Sequence, residues 1–499
     1  MWIFPALAVA GVAAGPACVT RAEVIPLEKG SGGQTSSGSG GTGGSALPSA
    51  GGEQGGGATL PPSGGMAGVG AAQNSGGTPG SGGNTATGGV GGDSGGEPGG
   101  EGGANPATGG MDGSAGMGGS PPTGTGNFPF PQNRRFDRCT YPSNADSEAA
   151  RRAYERWKEE LVTADGAGGY LRVRRPDSPG AEVNSTVSEG IAYGMMLAVI
   201  MGDQPTFDAL WKYSQLWVNE NGLMHWYINA AGTQPLGTGA ATDSDEDMAW
   251  ALVLADRQWG GSGSLDRPYI EEAKAQIQRI WEHEIDHDHD YQVLAGDSWG
   301  GNRVFNPSYF APNEYRIFGE VTGNEEGWNR VIDTGYALLE KCLNAEAGNA
   351  NNGLAPAWCD PETGEPKPTN GADNYQYDSA RIPFRIGQDY CYSGDDRAKA
   401  YLQKVSAFFA GVGAKNIVDG YELDGTPSPD PATPAGSPQS AVFVGSAAVG
   451  AMHDPQYQAF IDEAYGLVAT GELLARSRYY NLSWTGLTLL MLTGNLVEF

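Results

Sequence analysis

Residues 188–218 read SEGIAYGMMLAVIMGDQPTFDALWKYSQLWV and join two helices of different kinds. The first, up to about Gly202, is apolar on every side and rich in small residues, with Glu189 as its one charge. The second, from about Pro205, alternates polar and apolar residues at helical spacing. A helix without a polar face must be surrounded by protein, whereas an amphipathic helix lies at the surface. The stretch therefore predicts a hairpin of one enclosed and one outer helix.

The same alternation continues through residues 128–499, where strand signals are scarce. Helix signals begin near residues 146, 188, 205, 243, 267, 306, 324, 377, 395, 440, 455 and 479. In the fifth helix, Ile270, Ala273, Ile277 and Trp281 recur at helical spacing and leave the charges for solvent. Six enclosed and six outer helices predict an all-α (α/α)6 barrel of six helical hairpins. An open helical solenoid would show the same alternation.

The N-terminal quarter of the chain differs in composition. Residues 1–18 form an apolar run ending in small residues, as in a secretory signal peptide, and the run is too short to span a bilayer. Its end, GPAC, is similar to a bacterial lipoprotein cleavage box, in which Cys18 becomes lipidated; ordinary secretion is the alternative. Residues 19–127 are mostly Gly, Ser, Ala, Thr and Pro, which predicts a disordered linker. We expect a protein that is secreted or anchored at the outer membrane or cell surface.

Charge and cysteine content narrow the functional classes. The net charge of -28 excludes nucleic acid as a partner, because a phosphate polymer would be repelled. The four cysteines after Cys18 permit one or two disulfides in an exported protein, with the pairing open: Cys139, Cys342, Cys359 and Cys391. Since they form neither C-x-x-C nor clustered Cys/His spacings, we predict no metal site. We expect a monomer.

Ionisable residues on the enclosed helices are concentrated at the helix starts. Glu189 opens one helix, with Ser188 as its expected N-cap, and Asp378 opens YDSARIPFR. The segment TDSDEDMAWAL carries Asp243, Asp245, Glu246 and Asp247. Acids at helix starts complement the helix dipole, which explains many of them. The set still points to a site, because parallel enclosed helices would bring these carboxylates together at one mouth of the barrel.

Two carboxyl groups facing each other across a cleft are what glycosidic cleavage requires. Glu189 is flanked by Ile191 and Tyr193 without a cation nearby in the sequence, so burial should raise its pKa and suit it to the acid role. Asp378 has Arg381 one turn further on, which favours the ionised form that a base needs.

Tryptophans could supply flat faces on which sugars stack. Six are candidates: Trp211, Trp217, Trp226, Trp250, Trp259 and Trp299. Because Trp211 and Trp250 lie on predicted helices, we expect them in the core. Trp226 in GLMHWYIN and Trp299 in GDSWGGN lie in loop-like contexts and are the stronger substrate-binding candidates, with Tyr193 beside the acid.

At these residues the chain resembles glycoside hydrolase family 8, inverting (α/α)6-barrel enzymes that act on β-1,4-linked glucans, xylans and chitosan. The resemblance covers about residue 136 to the C-terminus, with six motifs in the family's order: SEGIAYGMMLAV, GLMHWYIN, ATDSDEDMAWAL, NPSYFAPNEYRIF, YDSARIPFRIGQDY and YYNLSWTGLTLLML. It implies a polysaccharide substrate and no cofactor.

The resemblance also implies roles for single residues. Glu189, in S-E-G-x-x-Y-G, matches the family's general acid, and Asp378, in Y-D-x-x-R, matches its base, with Arg381 beside it. Asp243, the first acid of A-T-D-x-D, would bind and help distort the sugar at the point of cleavage. The aromatic pair Tyr479 and Tyr480 would belong to the site, and which of the two points inward stays open.

The base also bears on the substrate, because chitosan-cleaving members often lack an equivalent of Asp378. We therefore expect β-1,4-glucan, as cellulose or mixed-linkage β-glucan, ahead of xylan or chitosan. A non-catalytic carbohydrate-binding surface protein is the alternative from another class, and the intact pair of Glu189 and Asp378 argues against it. Inversion requires about 6.5–9.5 Å between the two carboxyls, whereas retention requires about 5 Å.

A further motif, HEIDHDHD at residues 283–290, contains the H-E-x-x-H pattern of zinc peptidases. Its surroundings are acidic, and beyond His289 only His453 remains downstream as a ligand. The aspartates also imitate the first half of a calcium loop, but Tyr291 stands where that loop needs glycine. We therefore expect a solvated helix end rather than a metal site.

Overall fold

The computed structural model describes residues 126–367, 373–431, 433 and 438–496. Twelve α-helices in these ranges form two concentric layers. The inner layer consists of α2 (Ser188–Met201), α4 (Thr242–Trp259), α6 (Pro312–Thr322), α8 (Ile382–Ser393), α10 (Ala441–Ala451) and α12 (Arg478–Leu492). The outer layer consists of α1 (Ser147–Leu161), α3 (Gln204–Gln215), α5 (Tyr269–His283), α7 (Glu325–Lys341), α9 (Asp396–Val412) and α11 (Gln458–Val468).

The inner helices close into a ring. Each contacts the next inner helix along the chain, and α12 contacts α2. Every residue of α2 and of α10 is buried, whereas the outer helices bury one face and expose the other. The predicted (α/α)6 barrel is confirmed, and the contact between α12 and α2 excludes the open solenoid.

Two inner helices begin later than predicted. The expected starts near residues 306 and 377 are 3-10 turns, Pro307–Tyr309 and Ser379–Arg381, which precede α6 and α8. Pro312 is the first residue of α6, a position where its missing N–H is not needed. Pro383 is the second residue of α8 and has no N–H to bond back along a longer helix. As a result, Asp378 precedes a 3-10 turn rather than opening a helix.

Short antiparallel strands lie in the segments between the helices of the barrel. They are β1 (Val162–Thr163) with β2 (Arg172–Val173), the sheet of β3 (Thr186–Val187), β4 (Tyr227–Ile228) and β5 (Pro235–Gly237), and β6 (Ile285–Asp286) with β7 (Gln292–Val293). Strand β3 leads directly into α2, and the Ser188 amide donates to the Trp226 carbonyl at 3.0 Å. The three-stranded sheet therefore fixes the start of the helix that carries Glu189.

Two disulfides form among the four cysteines of the domain, as their even number predicted. Cys139, in the segment before α1, is bonded to Cys391 near the end of α8. Cys342, at the end of α7, is bonded to Cys359 in the following loop. The pairing, which the sequence left open, is thereby given.

The predicted signal peptide, Cys18 and the predicted linker, apart from residues 126 and 127, lie outside the described residues. Within the ranges given above, no helix combines the length and the apolar character that crossing a membrane requires.

Candidate active site

Three carboxyl groups meet at one end of the barrel around a single guanidinium group. Glu189 lies in the first turn of α2, Asp243 in the first turn of α4, and Asp378 just before the 3-10 turn that leads into α8. Arg381 Nη1 donates to Glu189 Oε2 at 3.0 Å and to Asp243 Oδ2 at 2.5 Å, and its Nη2 donates to Asp378 Oδ1 at 3.0 Å. We call these four residues the Arg381 cluster. Parallel inner helices thus bring together acids that lie up to 189 positions apart in the sequence.

Arg381 is fully buried and has further partners. Its Nη1 lies 3.3 Å from the Tyr193 hydroxyl, its Nη2 lies 2.8 Å from Ser308 Oγ, and its Cζ lies 5.4 Å from the centre of the Tyr309 ring. A guanidinium group is planar and permanently charged, so it can hold several carboxylates in fixed directions. The sequence interpretation gave Arg381 to Asp378 alone; the structure corrects this, because folding also places the cation against Glu189 and Asp243.

Burial controls protonation in the cluster. It raises the pKa of Glu189 to about 7, an effect that Arg381 opposes and the charge of Asp243 increases. Burial also raises the pKa of Asp243, again against the effect of Arg381. The increase expected for Glu189 is confirmed, even though the sequence did not show that a cation would touch it. At neutral pH the Glu189 carboxyl can therefore carry a proton.

The two neighbouring tyrosines have different roles. The Tyr479 hydroxyl donates to Glu189 Oε1 at 2.9 Å. The Tyr480 hydroxyl instead donates to the Tyr377 carbonyl at 3.2 Å, and its ring packs among other aromatic side chains. Tyr479 is the member of the pair that contacts the acid, and Tyr480 lies close enough to Arg381 to interact with its charge, so both tyrosines border the Arg381 cluster.

The two tryptophans predicted to bind sugar are almost enclosed. Trp226 is 6% exposed and packs against Tyr227, with ring centres 5.0 Å apart. Trp299 is 8% exposed, and its Nε1 donates to the Ala240 carbonyl at 2.6 Å. Loop position thus did not bring high exposure, and the role of both tryptophans in binding sugar stays a prediction. Trp211 and Trp250 are buried, as expected.

Three polar residues that the sequence does not single out also belong to the site. Ser308 Oγ, which accepts from Arg381, donates to Asn306 Oδ1 at 2.8 Å. Gln376 Nε2 donates to Asp378 Oδ2 at 3.2 Å. The Tyr309 hydroxyl is buried and has no hydrogen-bond partner among the described residues. The motif NPSY, part of the fourth family motif, carries Ser308 and Tyr309, but nothing in its local sequence indicates contact with Arg381.

Ser188 has a different role from the predicted N-cap. The N-cap position is Val187, which makes no side-chain cap, and Ser188 is the first residue of α2. Its hydroxyl lies 2.8 Å from Ser244 Oγ, which in turn lies 3.3 Å from Asp243 Oδ1. This hydroxyl pair joins the first turns of α2 and α4, the two helices that carry Glu189 and Asp243.

The HEIDHDHD motif does not lie on one helix. His283 is the last residue of α5, and the chain then enters β6, so His283 and His287 do not share the helical face that an H-E-x-x-H zinc site needs. The predicted solvated end holds for residues 287–290, which are exposed, whereas Glu284 is fully buried. Within the described ranges, no group of three or more His, Cys, Asp and Glu residues is arranged to hold a metal.

The distance between the acid and base candidates is limited by their shared partner. Glu189 and Asp378 each have an oxygen 3.0 Å from a terminal nitrogen of Arg381. These bonds keep the two bonded oxygens within roughly 8 Å, because both nitrogens belong to one planar group. The limit includes the separations typical of both inverting and retaining glycosidases.

Comparisons with known proteins agree with this architecture. The model of glycosyl hydrolases family 8 matches residues 128–494. Endoglucanase A of Acetivibrio thermocellus is 39% identical over 346 residues, which cover 68% of this chain and 68% of that protein. Among solved structures, a β-1,3-1,4-glucanase from Paenibacillus sp. X4 aligns with a TM-score of 0.65 and 26% identity, covering 74% of this chain and 99% of that one. A reducing end xylose-releasing exo-oligoxylanase aligns with a TM-score of 0.58 and 20% identity, covering 71% and 93% of the two chains.

Proposed function

The chain belongs to glycosyl hydrolases family 8 and is a glycoside hydrolase, and from this we propose that it is an endo-β-1,4-glucanase that cleaves with inversion. The observation that carries the proposal is the Arg381 cluster, in which a carboxyl with a pKa of about 7 and a second carboxyl share one buried guanidinium. Hydrolysis of a glycosidic bond requires such a pair, in which one carboxyl donates a proton and the other accepts one.

In the proposed reaction, Glu189 is the general acid. Its proton passes to the glycosidic oxygen as the bond from that oxygen to the anomeric carbon breaks. Burial keeps the proton available near neutral pH, and the hydrogen bond from Tyr479 to Oε1 fixes the orientation of the carboxyl. After the transfer, Glu189 is an anion beside Arg381, which stabilises the new charge.

Asp378 is the proposed general base. It accepts a proton from a water molecule while the water oxygen attacks the anomeric carbon from the face opposite the leaving group. Arg381 and Gln376 each hold one of its oxygens. The Tyr309 ring lies against the Arg381 guanidinium, and its hydroxyl, which has no hydrogen-bond partner among the described residues, is a second candidate contact for that water.

Asp243 is proposed to bind the sugar at the point of cleavage. Its Oδ2 is occupied by Arg381, and its Oδ1 has the weaker contact with Ser244, which leaves it able to accept a hydrogen bond from a sugar hydroxyl. Such a bond can favour the distorted ring of the transition state.

The relatives favour a β-glucan as substrate. Endoglucanase A is 39% identical to this chain, whereas the relatives named as exo-oligoxylanases are 26% identical to it. Xylan and chitosan are the second candidates. A protein that only binds carbohydrate would have no use for the proton held on Glu189.

The test is release of reducing sugar from carboxymethyl cellulose, mixed-linkage β-glucan, xylan and chitosan. We expect the first two to be cleaved, with the anomeric configuration of the first product, read by proton NMR, opposite to that of the substrate. Glu189→Gln and Asp378→Asn should each lower kcat by at least about a hundredfold. Full activity in either folded variant would contradict the assigned roles.

We propose that the enzyme acts outside the cytoplasm. Two disulfides in the described residues suit an oxidising compartment. Export through residues 1–18, with lipid on Cys18 or without it, is checked by the mass of the mature N-terminal peptide from the native host.

A further inference from the structure

A second ionic cluster lies one helical turn below the Arg381 cluster. Asp247 follows Asp243 by four residues on α4, and Arg385 follows Arg381 by four residues in the segment that becomes α8. Residues four apart lie above one another on a helix face. Asp247 and Arg385, with Glu314 of α6, form what we call the Arg385 cluster, and all three side chains are buried.

The contacts within the Arg385 cluster join three inner helices. Arg385 Nη1 and Nη2 donate to the two oxygens of Asp247 at 2.5 and 2.9 Å, a bidentate pair with a fixed direction. Nη1 also donates to Glu314 Oε1 at 2.6 Å. The cluster therefore fixes the rotation of α4, α6 and α8 against one another.

The charges in the cluster balance if Glu314 is neutral. One guanidinium faces two carboxyls, and Glu314 Oε2 has no hydrogen-bond partner among the described residues. Burial raises the pKa of Glu314 well above its usual range, and the charge of Asp247 adds to this effect. One cation, one anion and one neutral carboxyl then leave no net charge beneath the site.

The lower cluster acts electrostatically on the upper one. After burial and Arg381, the next influences on the pKa of Asp243 are Asp247, which raises it, and Arg385, which lowers it. The other charged or titratable groups around Asp243 are Glu189, Tyr193, Asp245, Glu246, Tyr309, Asp378 and Tyr480.

We infer that the Arg385 cluster is a positioning element for the active site, which holds Asp243 against Arg381 and supplies part of the charge that Asp243 experiences. This inference rests on the proposed function for its link to catalysis. It assigns roles to three residues that touch neither the sugar nor the reacting water.

The test compares Asp247→Asn with Glu314→Gln in the full chain. Removal of the negative charge at Asp247 should lower the pKa of Asp243 and lower kcat at least about tenfold, with a smaller change in KM. Replacement of a neutral carboxyl by a neutral amide at Glu314 should change kcat by less than about threefold. The pKa is measured by NMR titration of 13C-labelled aspartate carboxyls, with Asp243→Asn to identify the resonance.

Asp389→Asn is the matched control. Asp389 lies on α8, one turn beyond Arg385 and further from the Arg381 cluster. It is buried and forms an ion pair with Arg316. Its replacement should lower the melting temperature without moving the Asp243 titration. An equal shift in this control would show a general effect of destabilisation and overturn the inference.

The remaining outcomes also support or overturn the inference. An unchanged Asp243 titration in Asp247→Asn, or equal damage from Glu314→Gln, overturns the inference. If Asp247→Asn does not fold, Arg385→Lys is tested instead, because it keeps the positive charge but loses the bidentate geometry. We expect this variant to have a lower kcat and an unchanged titration of Asp243. A kcat equal to that of the wild type would overturn the inference. If the wild-type protein cleaves none of the four polysaccharides, the proposed function fails, while the titration still tests the coupling.

Discussion

At the scale of single residues, three buried carboxyl groups share the one cation of Arg381. Because one positive charge cannot balance three negative charges, the Arg381 cluster favours retention of a proton. Glu189 is the group with the pKa near 7, because burial disfavours its anion and Asp243 adds a neighbouring negative charge. Tyr479 acts in the opposite direction, since its hydrogen bond stabilises the anion. The acid is thus adjusted by neighbours from both α4 and α12.

These opposing effects give a pH prediction. An acid must carry its proton, so kcat/KM should fall as the pH rises through about 7, the pKa of Glu189. Tyr479→Phe removes a hydrogen bond that lowers this pKa, so the alkaline limb of the kcat/KM profile should move to higher pH. Tyr480→Phe is the control, because its hydroxyl bonds to a backbone carbonyl instead, and the limb should stay in place. A limb that moves in the control but not in Tyr479→Phe would contradict this reading.

At the scale of elements, the close approach of α2 and α12 depends on a glycine. A Cβ at Gly190 would lie 2.9 Å from Tyr479 Cε2, nearer than carbon atoms normally approach. Gly190→Ala should therefore displace the tyrosine ring and reproduce the alkaline shift of Tyr479→Phe. Gly466→Ala on α11 is the matched control, since nothing lies within 4 Å of its added Cβ. It should raise stability by about 0.5–1 kcal/mol, measured by urea unfolding.

The hydroxyl pair between α2 and α4 gives a second prediction at this scale. Ser188→Ala and Ser244→Ala should each lower the free energy of unfolding by about 1 kcal/mol, because each leaves a buried hydroxyl without its partner. The double variant should cost less than the sum of the two, since both changes remove one contact. Additive losses in urea unfolding would show that the hydroxyls do not interact.

Elements were predictable from the sequence where periodicity was long. The inner helices were recognised because a helix as apolar as α2 has no other place than the interior. The starts of α6 and α8 were missed because proline and 3-10 turns act over three or four residues. Arg381 was placed beside one acid instead of three, because contacts between α2, α4 and α8 depend on ring closure, which local patterns do not encode. The Arg385 cluster was missed for the same reason.

At the scale of the whole molecule, the two disulfides close loops of different length. Cys139 and Cys391 are 252 positions apart, whereas Cys342 and Cys359 are 17 apart. In the chain-entropy model, the longer loop stabilises the fold by about 5 kcal/mol and the shorter by about 3 kcal/mol. Replacing the first pair by alanine should thus lower the melting temperature more than replacing the second. Calorimetry without reductant measures both, and the reverse order would contradict the model.

The contact between α12 and α2 also determines when the active site can become complete. Because α12 follows α2 by more than half of the described chain, the apolar surface of α2 lacks this partner in the ring until α12 has also been made. A nascent chain that lacks α12 already contains Glu189, Asp243 and Asp378, yet Tyr479 has not arrived to contact the acid. The fully ordered acid can therefore appear only once α12 has packed against α2, and until then that side of the apolar helix α2 stays uncovered.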